Sequence, residues 1–139
     1  MTAVSSTGPL FAPFDLGALP LANRIVMAPM TRSCSPGRVP GPDVAAYYRA
    51  RAEGGVGLIL TEGVYLPVPQ SGFNARVPAM YGEAALAGWR RVVDQVHAAG
   101  ARIMPQLWHV GAWMMPNEQV DPAAPPLGPS GIGPKGTVA

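Results

Sequence analysis

The sequence predicts an α/β fold in which parallel strands alternate with helices. Two short runs, at residues 25–28 and 56–60, are apolar without polar alternation, as in strands buried on both faces of a sheet. A third strand is predicted at residues 102–107, although Pro105 counts against a central position in the sheet. Two longer segments, 43–53 and 83–99, carry apolar residues at helical spacing. The order strand, helix, strand, helix, strand requires crossover connections, which favour parallel pairing of the three strands.

Size and composition fit one domain with a hydrophobic core. The chain has 139 residues, of which 48% are hydrophobic and 13% charged, so it is not a disordered chain. Its net charge of +2 is too small and too scattered to indicate nucleic-acid binding.

No run approaches the roughly 18 apolar residues of a membrane span, and residues 1–6 do not resemble a signal peptide. A single cysteine, Cys34, allows no internal disulfide and favours a cytoplasmic location. The sequence leaves the oligomeric state open.

The first strand is expected to end at a proline. Residues 10–22 are too apolar for a free tail, and they lead directly into the run at 25–28. Pro29 cannot donate a ladder hydrogen bond, so pairing should loosen there and turn Met30 and Thr31 towards whatever lies above the strand. A plain buried strand with a polar exit is the alternative interpretation.

Two helices follow from capping and periodicity. Asp43 can cap a helix that ends at Gly54 and Gly55. Its predicted buried face comprises Val44, Tyr47, Tyr48 and Arg51. The second helix, 83–99, is closed by Gly100. Its predicted buried face comprises Leu86, Trp89, Val93 and Val96.

Polar residues and long loops follow the second and third strands. Thr61, Glu62 and Gly63 come at the carboxyl end of the second strand, where α/β barrels have their active sites. The loop 64–79 is long enough to indicate a function. Residues 112–139 are rich in proline and glycine and predict an extended segment. A G-x-G-x-x-G pattern at 131–136 follows no strand and opens no helix, so it is not a dinucleotide site.

Three stretches together resemble the Old Yellow Enzyme family, the FMN-dependent ene-reductases and NAD(P)H:flavin oxidoreductases. They are Asn-Arg-Ile-Val-Met-Ala-Pro-Met-Thr-Arg at 23–32, Leu-Ile-Leu-Thr-Glu-Gly at 58–63 and Pro-Gln-Leu-Trp-His-Val-Gly at 105–111. The resemblance implies a (β/α)₈ TIM barrel, which needs about 250 residues. The chain is therefore expected to be the N-terminal part of such a barrel. It would comprise a plug (1–22), about three βα units (23–111) and the extended segment.

The same resemblance implies that five residues contact the flavin. The side-chain amide of Gln106 carries a donor and an acceptor on one plane, and it would meet the pyrimidine edge of FMN. Thr31 would donate from its hydroxyl towards the flavin O4. Pro29 and Met30 would offer backbone groups beside the ring, and Gly63 would allow close approach.

The implied substrate pocket is incomplete. Phe73 resembles an aromatic residue that closes over the substrate and is usually a tyrosine, and Trp108 would shape the pocket. The family holds the substrate carbonyl with a His/His or His/Asn pair spaced three apart, and no such pair occurs here. No catalytic residue can therefore be assigned. His109 has no partner at metal-ligand spacing, so no metal is expected.

The activity that the resemblance implies is reduction of activated alkenes. The complete protein would hold FMN non-covalently, take hydride from NADH or NADPH, and pass it to an α,β-unsaturated carbonyl compound. We expect the 139 residues alone to be inactive. One alternative is a truncated, non-enzymatic product that binds a partner through its open sheet edge. Another is a different flavin-dependent barrel, such as a dienoyl reductase with added domains.

Overall fold

A parallel three-stranded sheet forms the centre of the protein. The computed structural model describes residues 7–113 and 127–130. Strands β3 (Val26–Met27), β4 (Leu58–Tyr65) and β5 (Arg102–Trp108) lie side by side in chain order, and both pairings are parallel. The predicted α/β class and the predicted parallel order are therefore confirmed.

The two crossover helices pack against each other and against the sheet. They are α1 (Pro42–Glu53) and α2 (Glu83–Ala98). Tyr48 of α1, Ile59 of β4 and Trp89 of α2 belong to one buried cluster, and Met27 of β3 packs against it. The Trp89 indole N–H donates to the carbonyl of Ala79 at 2.9 Å, so this large ring is buried without an unpaired donor.

The prediction that Asp43 caps α1 was wrong. Gly41 is the N-cap residue, no side chain caps the helix, and Pro42 occupies the first turn. Proline suits this place because its missing N–H would have no partner inside the helix. Asp43 instead lies in the first turn, where a carboxylate interacts favourably with the helix dipole.

The buried faces of both helices differ from the predicted ones. In α1 the predicted Arg51 is exposed, and the buried residues are Val44, Ala45, Tyr48 and Ala52. In α2 the predicted Leu86 is 48% exposed. The buried residues of α2 are Ala85, Gly88, Trp89, Val92 and Val96. Small residues let α2 approach its neighbours closely: a Cβ on Gly88 would lie 2.5 Å from the carbonyl oxygen of Pro40.

Burial on both faces was predicted for the first two strands and holds only for β4. Val26 of β3 is 48% exposed, and four of the seven residues of β5 are exposed. The physical reason is position, since only β4 has a strand on each side. As an edge strand β5 also accommodates Pro105, which has no N–H to donate.

Strand β4 is longer than predicted. It continues to Tyr65, so Thr61, Glu62 and Gly63 lie within it and the following loop begins at Leu66. That loop is ordered around a turn at Pro69–Ser71. Tyr65 extends the pairing further, donating its N–H to Pro78 and accepting from Met80, each at 2.9 Å. The loop predicted at 64–79 therefore begins two residues later than expected and contains a short helical turn.

A short hairpin precedes the sheet. Strands β1 (Phe14–Leu16) and β2 (Leu19–Leu21) pair antiparallel. Residues of the hairpin line a cavity with Val26 and Leu58, the first residues of β3 and β4. The hairpin therefore lies at the amino ends of the strands, opposite the edge that carries the candidate site. No helix within 7–113 and 127–130 has the length and apolar character to span a membrane.

Candidate functional site

The carboxyl ends of the three strands bring the predicted flavin contacts to one edge. Gly63 of β4 and Gln106 of β5 are partners in the parallel register. Thr31 follows β3 in the irregular segment 28–35. The backbone N–H of Arg32 donates to the Glu62 carboxylate at 3.1 Å, which ties this segment to β4. The sequence thus placed Thr31, Gly63 and Gln106 at the same end of the sheet, as the structure does.

Two polar side chains at this edge are available for a ligand. Thr31 and Gln106 are both exposed, and neither side chain hydrogen-bonds to any residue in the described ranges. Met30 beside them is exposed and Pro29 is half-buried. A hydroxyl and a carboxamide together offer donors and acceptors, which suits a planar ring carrying carbonyl oxygens and an N–H.

A bulge in β4 fixes the backbone of Gln106. The register shifts between Leu60 and Gly63, where β4 has one residue more than β5. The buried Thr61 hydroxyl donates to the carbonyl of Glu62 at 2.7 Å and accepts the N–H of Gln106 at 3.2 Å. Thr61 therefore replaces a backbone partner that the bulge removes.

The space beside Gly63 is occupied by Trp108. A Cβ on Gly63 would clash with the indole, lying 2.7 Å from its Cδ2 atom. The indole also packs on Tyr65, with ring centroids 5.8 Å apart. The structure therefore places the Trp108 indole of β5 directly beside Gly63, the residue predicted to allow close approach of the flavin.

The loop after β4 is joined to the end of β5 through Ser71. Ser71 donates its hydroxyl to the carbonyl of Trp108 and accepts the N–H of Leu66, both at 2.7 Å. The backbone N–H of Val110 donates to the carbonyl of Ser71 at 3.2 Å. Phe73 follows two residues later and is exposed. Ser71 therefore connects the loop that carries Phe73 to the backbone of Trp108.

Arg38, a residue without a predicted role, contacts the loop after β4 through its side chain. Its guanidinium donates to the Tyr81 hydroxyl at 3.1 Å and to the carbonyl of Gly72 at 3.4 Å, and it lies 5.2 Å from the Tyr65 ring centroid. Its backbone is left-handed, with φ of 66°. Such a conformation is uncommon outside glycine, and no sequence signal marks it.

A second link joins the segment after β3 to the same loop. The Asn74 amide donates to the Ser33 hydroxyl at 3.0 Å, and the Arg76 guanidinium donates to the carbonyl of Ser33 at 2.9 Å. Ser33 also has a left-handed backbone, with φ of 53°. Two side-chain hydrogen bonds therefore join the segment after β3 to the loop after β4.

Beneath this edge lies a buried acid. Glu62 is fully buried, and its backbone N–H donates to the Tyr48 hydroxyl at 2.8 Å. Burial raises the pKa of the Glu62 carboxyl, and its hydrogen bond from Arg32 and the Arg32 charge oppose that effect. Burial also raises the pKa of Tyr48 to about 12. The sequence indicated this buried acid in one way, by placing a charged residue inside an apolar run.

Other candidate groups carry no comparable arrangement. Tyr47 and Tyr48 pack together edge to face, as expected for packing residues. The Cys34 thiol is 3.3 Å from the carbonyl of Arg32. Both histidines are exposed, and His109 Nδ1 accepts the N–H of Gly111 at 3.0 Å. Across 7–113 and 127–130, no three His, Cys, Asp or Glu side chains form a group that could hold a metal ion. The pattern at 131–136 lies outside the described residues, as does most of the segment 112–139.

Comparison with known proteins gives one consistent result. Residues 9–135 match the NADH:flavin oxidoreductase / NADH oxidase family. The chain is 42% identical to 12-oxophytodienoate reductase 7 of Oryza sativa subsp. japonica over 117 residues, which are 84% of this chain and 29% of that protein. It is 44% identical over 103 residues to chanoclavine-I aldehyde reductase fgaOx3 of Penicillium roqueforti (strain FM164), covering 73% of this chain and 28% of that protein.

Solved structures agree with the sequence comparison. Morphinone reductase superposes with a TM-score of 0.81 at 40% identity, covering 96% of this chain and 35% of that one. A second structure of morphinone reductase, in complex with tetrahydroNAD, gives a TM-score of 0.76 at 44% identity over 84% of this chain and 31% of that one. The chain therefore spans about a third of the length of the proteins that it matches.

Proposed function

Since the chain belongs to the NADH:flavin oxidoreductase / NADH oxidase family and represents the N-terminal region of an Old Yellow Enzyme, we propose that it supplies part of the FMN-binding edge of an ene-reductase. Its strands and helices are the first βα units of a TIM barrel. One observation carries the proposal. The exposed side chains of Thr31 and Gln106, without partners among the described residues, lie at the carboxyl ends of neighbouring units, where TIM barrels bind their ligands.

We assign each residue at this edge one task. Gln106 binds the pyrimidine edge of the flavin through its amide, while Thr61 holds its backbone. Thr31 donates to the flavin O4, a position that gains negative charge on reduction. The backbone groups of Pro29 and Met30 lie beside the ring, and Gly63 leaves room on β4 for the indole of the substrate pocket.

When bound, FMN would supply hydride transfer from NADH or NADPH to the alkene of an α,β-unsaturated carbonyl compound. This chain contributes binding and orientation to that reaction. Phe73 and Trp108 form an apolar wall for the substrate, held in place through Ser71. FMN is bound non-covalently, and the protein is cytoplasmic. Small enones are the substrate class that we propose.

The test uses the complete protein with Gln106→Ala and Thr31→Ala. A hydrogen bond contributes about 1 kcal/mol net, so Gln106→Ala should weaken FMN binding about fivefold for each bond lost. Thr31→Ala should lower the two-electron potential by about 20 mV, since about 30 mV corresponds to 1.4 kcal/mol. Gln95→Ala, a substitution on α2, is the matched control and should change neither quantity. A potential that stays the same or rises in Thr31→Ala would contradict the role of Thr31.

The alternative of a non-enzymatic, partner-binding product has one observation in its favour. Strand β5 is an edge strand whose Leu107 is 60% exposed, and unpaired apolar edges invite association. We expect residues 1–139 alone neither to retain FMN nor to oxidise NADPH with cyclohexenone, because a few ring contacts hardly offset the cost of association. Purification of these residues followed by FMN titration checks this. A stoichiometric flavin complex that turns over would contradict it.

A further inference from the structure

We propose that Glu62 is a positioning residue for the flavin edge: its buried carboxylate fixes the backbone of Arg32 and thereby the hydroxyl of Thr31. This inference rests on the proposed function, because Thr31 is a flavin contact only there. The link between Glu62 and Arg32 is a feature of the protein itself and can be tested without flavin.

The hydrogen bond to Arg32 holds an otherwise irregular segment to the sheet. Residues 28–35 contain neither helix nor strand. Within them the backbone N–H of Arg32 reaches Glu62 Oε2 at 3.1 Å. Thr31 directly precedes Arg32, so the orientation of the peptide group between them limits where the Thr31 hydroxyl can lie.

Glu62 is itself fixed at both polar atoms of its backbone. Its N–H donates to the Tyr48 hydroxyl at 2.8 Å, and its carbonyl accepts from the Thr61 hydroxyl at 2.7 Å. Tyr48 is fully buried between α1 and the sheet. The carboxylate therefore projects from a rigid part of β4 towards a part of the chain that has no regular structure.

Packing alone does not favour an acid at position 62. Glu62 Oε1 and Arg32 Nη1 are buried and have no hydrogen-bond partner among the described residues. The Arg32 guanidinium stacks on Tyr47, 3.5 Å from the ring centroid. Buried charged groups with unfilled hydrogen bonds cost stability, and apolar residues of similar volume often pack more favourably. Such a violation of the packing rule is typical of functional positions.

The first experiment measures amide hydrogen exchange in the flavin-free, complete protein. Glu62→Leu removes the acceptor, and exchange of the Arg32 amide should become about ten- to a hundredfold faster. Glu62→Asp, whose side chain is shorter by one methylene group, should have the same effect. It replaces the leucine variant if that variant does not fold. Glu62→Gln keeps an acceptor oxygen and should preserve slow exchange. Glu53→Leu, at an exposed glutamate, is the control. Unchanged exchange in the Leu or Asp variant would overturn the proposal.

The second experiment measures the flavin potential in a double-mutant cycle. With Thr31 present, Glu62→Leu or Glu62→Asp should lower the potential in the same direction as Thr31→Ala. In the Thr31→Ala background, the same substitution should cause no further shift, because the residue through which Glu62 acts is gone. Equal shifts in both backgrounds would mean that Glu62 acts on the flavin directly, and would overturn the proposal. A wild-type protein that binds no FMN would contradict the proposed function, and amide exchange would still decide the link between Glu62 and Arg32.

Discussion

Gly63→Ala is the substitution whose effect the structure defines most sharply. A Cβ added to Gly63 would clash with the Trp108 indole, 2.7 Å from Cδ2 and 3.1 Å from Cζ3. A contact of 2.7 Å is shorter than real Cβ atoms show, so the indole or the two strands must move. Movement of the indole is restricted because the Tyr65 ring also packs against it, with ring centroids 5.8 Å apart.

The expected cost follows from the size of this overlap. Forcing one methyl group into a packed site typically costs about 1–3 kcal/mol. We therefore expect Gly63→Ala to lower the free energy of unfolding of the complete protein by about that amount, measured by urea titration. The intrinsic tryptophan fluorescence should change as well, because the Trp108 indole is displaced. Gly8→Ala is the matched control, since a Cβ there has no neighbour within 4 Å.

A double-mutant cycle identifies the indole as the cause. In a Trp108→Leu background the same Gly63→Ala change should cost less than about 0.5 kcal/mol, because the atoms that it meets have been removed. If Gly63→Ala were equally destabilising with and without Trp108, the packing described for these two strands would be wrong.

Two further predictions concern the buried acid. Tyr48→Phe removes the acceptor of the Glu62 backbone N–H and should destabilise the protein by about 1–3 kcal/mol; an unchanged urea midpoint would contradict this. The second concerns pH. Because burial raises the pKa of Glu62 above 4.5, the folded protein binds the proton more tightly than the unfolded chain. Stability contributed by this group is therefore complete below the unfolded pKa and falls as pH rises through the folded pKa. Glu62→Gln should lack this pH dependence. In unfolding experiments the stability of the wild type relative to Glu62→Gln should therefore decrease with rising pH. A stability difference that stays constant with pH would contradict this prediction.

Chain-local signals were sufficient to predict the two helices. The helix predicted at 83–99 is observed as Glu83–Ala98, because periodicity and a terminal glycine are properties of the segment itself. The choice of buried face was less successful. Leu86 is a larger apolar residue than Ala85, yet Ala85 is buried and Leu86 is exposed. Which face is covered depends on neighbouring elements, and the sequence of one helix does not specify their position.

The candidate site was predictable only where it follows from strand order. Thr31 and Gln106 were placed at one edge because parallel strands end together. The roles of Glu62 and Arg38 were missed, since their partners are distant in the sequence. Glu62 binds the backbone of Arg32, 30 residues away, and Arg38 reaches Gly72 and Tyr81, 34 and 43 residues away. Only Glu62 gave a sequence signal, as a charged residue within an apolar run.

The position of Thr31 is determined by the second βα unit more than by its own strand. Strand β3 has only two residues, and the segment that follows it has no regular structure. Glu62 holds that segment from the sheet side, and Asn74 and Arg76 hold Ser33 from the loop after β4. Both sets of contacts come from β4 or its loop, so the second unit fixes the segment that carries the Thr31 hydroxyl. The proposed flavin edge therefore depends on paired units, and we expect changes in β4 that leave every proposed flavin contact intact to alter the potential.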